Sequence, residues 1–269
     1  MQQFQKRSSR TRKRMIASNS CTLECDKADN SCLYLHESVR RIIGSMLRPG
    51  GLQLTERALS LCDLPQEALV LDAGCGCAAT VARMREHYSY QAYGLDVCSS
   101  LLDEARQIQP SLPLVNADSG WLPFPDKTFD TVISECVFSL LEDKDQVLRE
   151  WFRVLRDGGM VILSDLYVRN PRHDDTAFPE TYRSCLSGAV SRQAVESLLV
   201  SRGFAVRCWE DHSHLLAELA GRIILQYGSL DNVRSAEGEP LLSHSLCEAA
   251  RAGRYGYYLL IASKKRCDR

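Results

Sequence analysis

Asp72-Ala73-Gly74-Cys75-Gly76 sets a carboxylate beside two glycines, a spacing that lets backbone N–H groups approach a ligand closely. A pyrophosphate-binding turn wants a third small residue three positions on, and Ala79 stands there, so the turn alone leaves its ligand open. Asp96 closes the next apolar run about 20 residues later, where a carboxylate can accept both hydroxyls of a ribose. A third acid, Asp118, follows Asn116-Ala117, where it can accept a hydrogen bond from an adenine amino group with Trp121 or Leu122 packing nearby. Any one of these acids could be a turn cap or a surface charge. Three at successive strand ends, in this order, point to a nucleoside ligand.

The elements that must hold them read as alternating strands and helices. Val70-Leu71 is a short apolar strand running into the glycine turn, and Val81 to Glu86 has a helical period. There follow strand Ala92 to Asp96, helix Ser100 to Gln107, strands Leu112 to Ala117 and Thr131 to Ser134, helix Asp145 to Leu155 and strand Met160 to Asp165. Arg192 to Ser201 reads as a helix, Ala205 to Glu210 as a strand and Tyr257 to Ser263 as the last strand. This alternation implies parallel pairing by right-handed crossovers, so the expected fold is α/β and doubly wound. In the helix near residue 150, Val147, Trp151, Val154 and Leu155 share one face, Asp143 can cap the start, and Gly158 is expected to take the left-handed position after the end.

Residues 1–33 form a polar, cysteine-bearing tail, and a single domain spans 34–269. Within that domain, 34–64 reads as helical, with Leu35, Val39, Ile42, Ile43 and Met46 on one face. Pro49-Gly50-Gly51, with Thr55 beyond it, is a candidate hinge that would make this segment a lid, and equally a plain interhelix turn. A helical insertion occupies 211–254, with helices at Leu215 to Tyr227 and Leu241 to Ala250.

The chain's 33 bases against 34 acids leave a net charge of -1, which removes any global attraction to nucleic acid or membrane. Six of the bases lie without an acid in the first 14 residues, a disordered basic extension rather than a nucleic-acid arm. The start lacks the apolar stretch of a secretory signal, and Met15 offers an alternative initiator. Twelve cysteines in a long chain without such a signal read as cytosolic thiols, which places the protein in the cytoplasm. Cys21, Cys25 and Cys32 do not match a structural zinc spacing, so no metal ligands are assigned. A small-molecule substrate is expected, and the oligomeric state stays open.

The three acid stations, with Phe129-Asp-Thr-Val-Ile-Ser134 at the fourth strand and Leu155-Arg-Asp-Gly-Gly159 before the fifth, resemble the class I S-adenosylmethionine-dependent methyltransferases over residues 68–165. The resemblance implies a seven-stranded, mostly parallel sheet whose last strand is antiparallel and inserted beside the sixth. It implies S-adenosylmethionine as cofactor, with Asp72, Gly74 and Gly76 at the methionine end, Asp96 at the ribose and Asp118 at the adenine. By position, Cys75, Val97, Ala117, Ser119 and Glu135 would complete that cofactor site.

In this fold the end of the fourth strand, Ser134-Glu135-Cys136-Val137, reaches toward the transferred methyl group. Here the chain is similar to the arsenite methyltransferases, which carry Asn-Cys-Val at this place and Asp-Val-Tyr after the fifth strand, against Glu135-Cys136-Val137 and Asp165-Leu166-Tyr167 in this chain. A second cysteine segment of that group, Glu-Cys-Leu-Gly-Gly-Ala, is matched by Ser184-Cys185-Leu186-Ser187-Gly188-Ala189. The resemblance implies Cys136 and Cys185 as catalytic thiols. Trivalent arsenic is thiophilic, and thiolates can hold it while leaving its lone pair free to attack a methyl group. Two departures stand out: Glu135 replaces the Asn, and the upstream cysteine segment has no clear counterpart, leaving Cys21, Cys25 and Cys32 as candidates by position alone. Cys62, Cys98, Cys208, Cys247 and Cys267 read as small packing residues. Two alternatives remain. One is a methyltransferase for a small organic acceptor, quinone-like and C- or O-methylated, using a base such as Glu135, His173, His212 or His214. The other is a thiol-rich binding or redox protein that kept the fold without the chemistry.

Overall fold

The computed structural model describes residues 40–41, 48–169, 185–186, 188–234, 238–241, 247–248 and 252–265. The tail with Cys21, Cys25 and Cys32, most of the expected helix before Pro49, His173, Ser184, Ser187, most of the expected helix at 241–250, and Cys267 lie outside the described residues.

Helix α1 (Gly51–Ser60) leads into strand β1 (Leu69–Ala73), helix α2 (Ala79–His87), strand β2 (Gln91–Asp96), helix α3 (Ser99–Ile108) and the short strand β3 (Leu114–Asn116). Strand β4 (Phe129–Glu135) is followed by a single 3-10 turn, Phe138–Leu140, then helix α4 (Lys144–Val154) and the long strand β5 (Leu155–Val168). Strand β6 (Val190–Ser191), helix α5 (Arg192–Ser201), strand β7 (Phe204–Asp211), helix α6 (Ser213–Tyr227) and strand β8 (Tyr255–Lys264) complete the series. One sheet runs β3-β2-β1-β4-β5-β8-β7. Pairing is parallel from β3 through β5, and β8 lies antiparallel between β5 and β7. The doubly wound expectation therefore holds, with one addition: the two-residue β6 pairs with Tyr167 and Val168 and makes an eighth strand.

Helices cover both faces because the strands are apolar on both. β8 is buried at every position, as a central strand must be. On one face Leu54 and Ala58 of α1, Val81 and Met84 of α2, and Ala105 of α3 pack with Val70, Ile133 and Ile162. On the other, Val147, Leu148 and Trp151 of α4 and Val195 and Leu199 of α5 pack with Leu71, Val132 and Val161. The chain winds from β1 through β2 to β3 in one direction and from β4 to β5 in the other. Strand order thus reverses between β1 and β4, and the crevice beyond their carboxyl ends is where such sheets bind ligands. Among the described residues, no helix is long and apolar enough to cross a membrane.

Helix α4 shows where local pattern suffices and where it fails. Asp143 caps it as expected, accepting from the Gln146 N–H at 2.9 Å. Its end is different. The helix stops at Val154 and the chain enters β5 at once, while Gly158 (φ +80°) sits in the irregularity that shifts the β4–β5 register. Gly158 is therefore not the helix cap. That task falls to Lys264, at the far end of β8, whose buried ammonium donates to the carbonyls of Phe152 (2.7 Å) and Leu155 (2.8 Å). A cation at a helix carboxyl terminus satisfies both the orphan carbonyls and the dipole. Strand β3 is also shorter than Leu112 to Ala117, since Pro113 offers only its carbonyl, which accepts from the Gly94 N–H.

Lys264→Met keeps the apolar stem and leaves those carbonyls buried without a donor. Chemical denaturation is expected to show a loss of about 1–3 kcal/mol, whereas an unchanged midpoint would mean that the end of α4 is satisfied in another way.

Candidate functional site at the strand reversal

The glycine turn is tied down by its neighbour strand. The N–H groups of Gly74 and Cys75 both donate to the Leu95 carbonyl, at 2.7 and 3.0 Å. Gly74 has φ +88°, and a Cβ there would lie 2.4 Å from a Val137 methyl, so a side chain at this position is excluded both by conformation and by the loop after β4. The Cys75 sulfur packs so closely over Gly94 that a Cβ on that glycine would come within 2.8 Å of it. That thiol serves packing, and its pKa is pushed well up by burial, then by Asp72 and Asp96.

Asp96 is bracketed by backbone. Its Oδ2 accepts from the Gly76 N–H at 2.7 Å and its Oδ1 from the Cys98 N–H at 2.8 Å. Burial raises its pKa, opposed by these N–H groups. Beside it, Asn116 donates from its side chain to the Asp96 and Val97 carbonyls at 3.0 and 2.9 Å, while the Ala117 N–H donates to the Asp96 carbonyl at 3.1 Å. Asp118 is exposed and accepts the Gly120 N–H at 2.7 Å, so one of its oxygens brackets a turn. Ser119 and Leu122 are buried, Val97 is partly open, and Trp121 stands 73% exposed, free of the packing expected for it.

Asp72 differs from the other two acids. It is 3% exposed, and no described residue donates a hydrogen bond to it. Burial pushes its pKa well above the carboxylate range, the neighbouring Glu135 raises it further, and Arg48 partly offsets both. A cationic group entering the crevice would give such a carboxyl the partner it lacks.

Glu135 is fully engaged. Arg48 lies 2.9 Å from its Oε2, Thr80 donates to the same oxygen at 2.8 Å, and Thr55 donates to Oε1 at 2.8 Å. Arg48 also donates to both threonine hydroxyls at 2.8 Å, closing the network. The Arg48 and Glu135 side chains are 7% and 4% exposed. Breaking such a buried pair by removing one partner costs about 3–5 kcal/mol. The expected hinge at Gly50-Gly51 thus leads into a helix whose Thr55 is locked to β4. A Cβ at Gly50 would meet Leu215 of α6 at 2.6 Å, so the insertion packs on this turn.

One residue on, the chain turns. Cys136 has φ +59°, a left-handed conformation costing of order 1–3 kcal/mol for a residue with a side chain, while its N–H still donates to the Ser164 carbonyl at 2.7 Å. Its sulfur lies 3.1 Å from that of Cys185, whose thiol also sits 2.9 Å from the Cys136 carbonyl. Neither is in a disulfide, and both are buried. The turn carrying Cys185 is pressed onto the 3-10 segment: a Cβ at Gly188 would come within 1.8 Å of the Ser139 carbonyl oxygen.

Asp165, at the end of the same crevice, completes the cluster. Its carboxylate and the two sulfurs lie within 4.8 Å of one another. Ser139 donates to it twice, through N–H and hydroxyl at 2.8 Å, and the Leu166 N–H donates at 2.7 Å. Burial lifts its pKa to about 6 against these donors and Lys144. Arg48, Thr80, Asn116 and Asp165 are site residues that motif reading did not assign. An acid closing a central strand was the visible signal for Asp165, whereas the partners of Arg48 and Thr80 are far away in sequence.

Residues 71–163 match the family described as a methyltransferase domain. Phosphoethanolamine N-methyltransferase 1 of Arabidopsis thaliana is 27% identical over 68% of this chain and 38% of its own length. An arsenite methyltransferase of Halobacterium salinarum is 28% identical over 52% of this chain and 37% of its own. This chain spans well under half the length of these curated relatives. Among solved structures, Haemonchus contortus phosphoethanolamine N-methyltransferase 2, in complex with S-adenosyl-L-methionine, superposes with a TM-score of 0.62 at 17% identity, covering 85% of this chain and 56% of the other.

Mild oxidation of the reduced protein, followed by peptide mapping, is expected to link Cys136 to Cys185 ahead of the other cysteines. Gly188→Ala should sharply lower the yield of that linked peptide. An equal yield would show that the turn does not position Cys185.

Proposed function

We propose that this chain, which carries a methyltransferase domain on the class I S-adenosylmethionine-dependent fold, methylates a small thiophilic acceptor such as trivalent arsenic, held by Cys136 and Cys185. The observation that carries this reading is the 3.1 Å approach of two buried thiol sulfurs just beyond the end of β4, across the strand reversal from the glycine turn. The resemblance to arsenite methyltransferases is consistent with it.

The residues beyond β1 and β2 fit the cofactor. Asp72, buried and without a donor among the described residues, suits the ammonium of its methionine end, and the fixed Asp96 carboxylate suits ribose hydroxyls. Gly74, Cys75 and Gly76 would line its approach by backbone, with Val97, Ala117, Asp118 and Ser119 around the base. When bound, S-adenosylmethionine supplies an electrophilic methyl group on a sulfonium sulfur.

The chain's own part is to bind and aim the acceptor. Two thiolates can hold a trivalent arsenic centre in place of two of its oxygens, each thiol giving up its proton to the departing hydroxide as water. The remaining lone pair on arsenic is the nucleophile, so no general base is needed. Positioning at near-attack distance is then the main contribution. Glu135 supports the cavity, because Arg48, Thr55 and Thr80 hold both its oxygens in place. His212, a candidate base for an organic acceptor, is engaged with Glu210 at 2.9 Å.

Conversion of S-adenosylmethionine to S-adenosylhomocysteine, followed by mass spectrometry with excess small thiol, is expected to depend on arsenite. It should fall to background in Cys136→Ser and Cys185→Ser while S-adenosylhomocysteine affinity changes little. Turnover of phosphoethanolamine, equal in wild type and Cys136→Ser, would instead assign an amine acceptor and leave the thiols as packing residues.

A further inference from the structure

The methyl-acceptor reading uses two thiols, yet three donors converge in the same buried cluster. We propose that Cys136, Cys185 and Asp165 form a site for one divalent cation of borderline-to-soft character, Zn2+ or Cd2+, with its fourth position open. The donor set of two sulfurs and one carboxylate oxygen is what such cations take, and three protein ligands with the fourth position left to a non-protein ligand is an established zinc arrangement.

The distances support it. The three ligand atoms lie within 4.8 Å of one another, and the sulfurs are 3.1 Å apart. A tetrahedral zinc with bonds of about 2.3 Å to sulfur needs its sulfurs roughly 3.8 Å apart. A parting of under 1 Å between the two sulfurs meets that requirement, while the Cys136 N–H keeps its bond to the Ser164 carbonyl.

The carboxylate is prepared as a ligand. An ionised carboxyl offers about four acceptor sites, of which Ser139 and Leu166 fill three: two on Oδ1 and one on Oδ2. The free site is on Oδ2. Those three donors fix the carboxylate's orientation, as outer-shell hydrogen bonds do around bound metals. All three ligand residues are buried, so a cation would offset the desolvation of their charged forms.

This site does not depend on the identity of the methyl acceptor or on methyl transfer. It shares Cys136 and Cys185 with the proposed acceptor seat, so a divalent cation and a thiophilic acceptor would exclude one another.

The test uses the full chain, reduced and desalted, titrated with Cd2+ by equilibrium dialysis and observed by cadmium-113 NMR. Wild type, Cys136→Ser, Cys185→Ser and Asp165→Asn are compared, with thermal unfolding to verify that each is folded. The wild type is expected to bind one more Cd2+ than either serine variant, with a cadmium shift typical of mixed sulfur and oxygen ligation and with displacement by Zn2+. Asp165→Asn should weaken that cation at least about tenfold. If Asp165→Asn does not fold, the wild-type shift alone decides, since an all-sulfur environment overturns the proposal. Equal Cd2+ binding in wild type and Cys136→Ser, or unchanged affinity in Asp165→Asn, would also overturn it.

Discussion

A single buried carboxylate holds the crevice together. Glu135 closes β4 and is gripped from three directions: by Arg48 just before α1, by Thr55 within α1 and by Thr80 at the start of α2. An ion pair this deep would be a liability if any member were left unsatisfied. The two threonine hydroxyls each accept from one terminal nitrogen of Arg48 and donate to Glu135, which ties the cation to the carboxylate through two routes besides their direct contact. With β4 fixed to α1 and α2, the next residue can be forced into the left-handed conformation that carries Cys136 into the cluster. The neighbouring Val137 then closes over Gly74.

The acids gathered here act through different environments. Asp96 is held by backbone donors, Glu135 by a cation and two hydroxyls, and Asp165 by Ser139 and Leu166. Asp72 alone of these acids lacks a donor among the described residues, and burial and Glu135 push its carboxyl well above the usual carboxylate range. That asymmetry separates groups that build the walls from one left for a ligand.

Sequence pattern revealed what depends on short-range order. The Gly74-Gly76 turn, the acids at strand ends, the Asp143 cap and the alternation that makes a doubly wound sheet are written within a few residues of one another. What escaped depends on partners brought together by the fold. Lys264 caps α4 from the opposite end of the domain, so Gly158 looked like the cap by position alone. The two-residue β6 has no period to read. Asp118 also brackets a turn with one oxygen, which its motif does not reveal, and Glu135, legible as a strand-end acid, gave no hint of Arg48. Cys136 and Cys185 were joined by resemblance before geometry placed them 3.1 Å apart; nothing in the spacing required it.

The proposed chemistry stands or falls on whether that dithiol holds the acceptor. Arsenic-edge X-ray absorption on the reduced protein with one equivalent of arsenite counts the sulfurs bound to arsenic. Two As–S bonds are expected in the wild type, with a reduced sulfur count in Cys136→Ser and in Cys185→Ser. Arsenic bound only to oxygen, or a sulfur shell unchanged by either substitution, would contradict it.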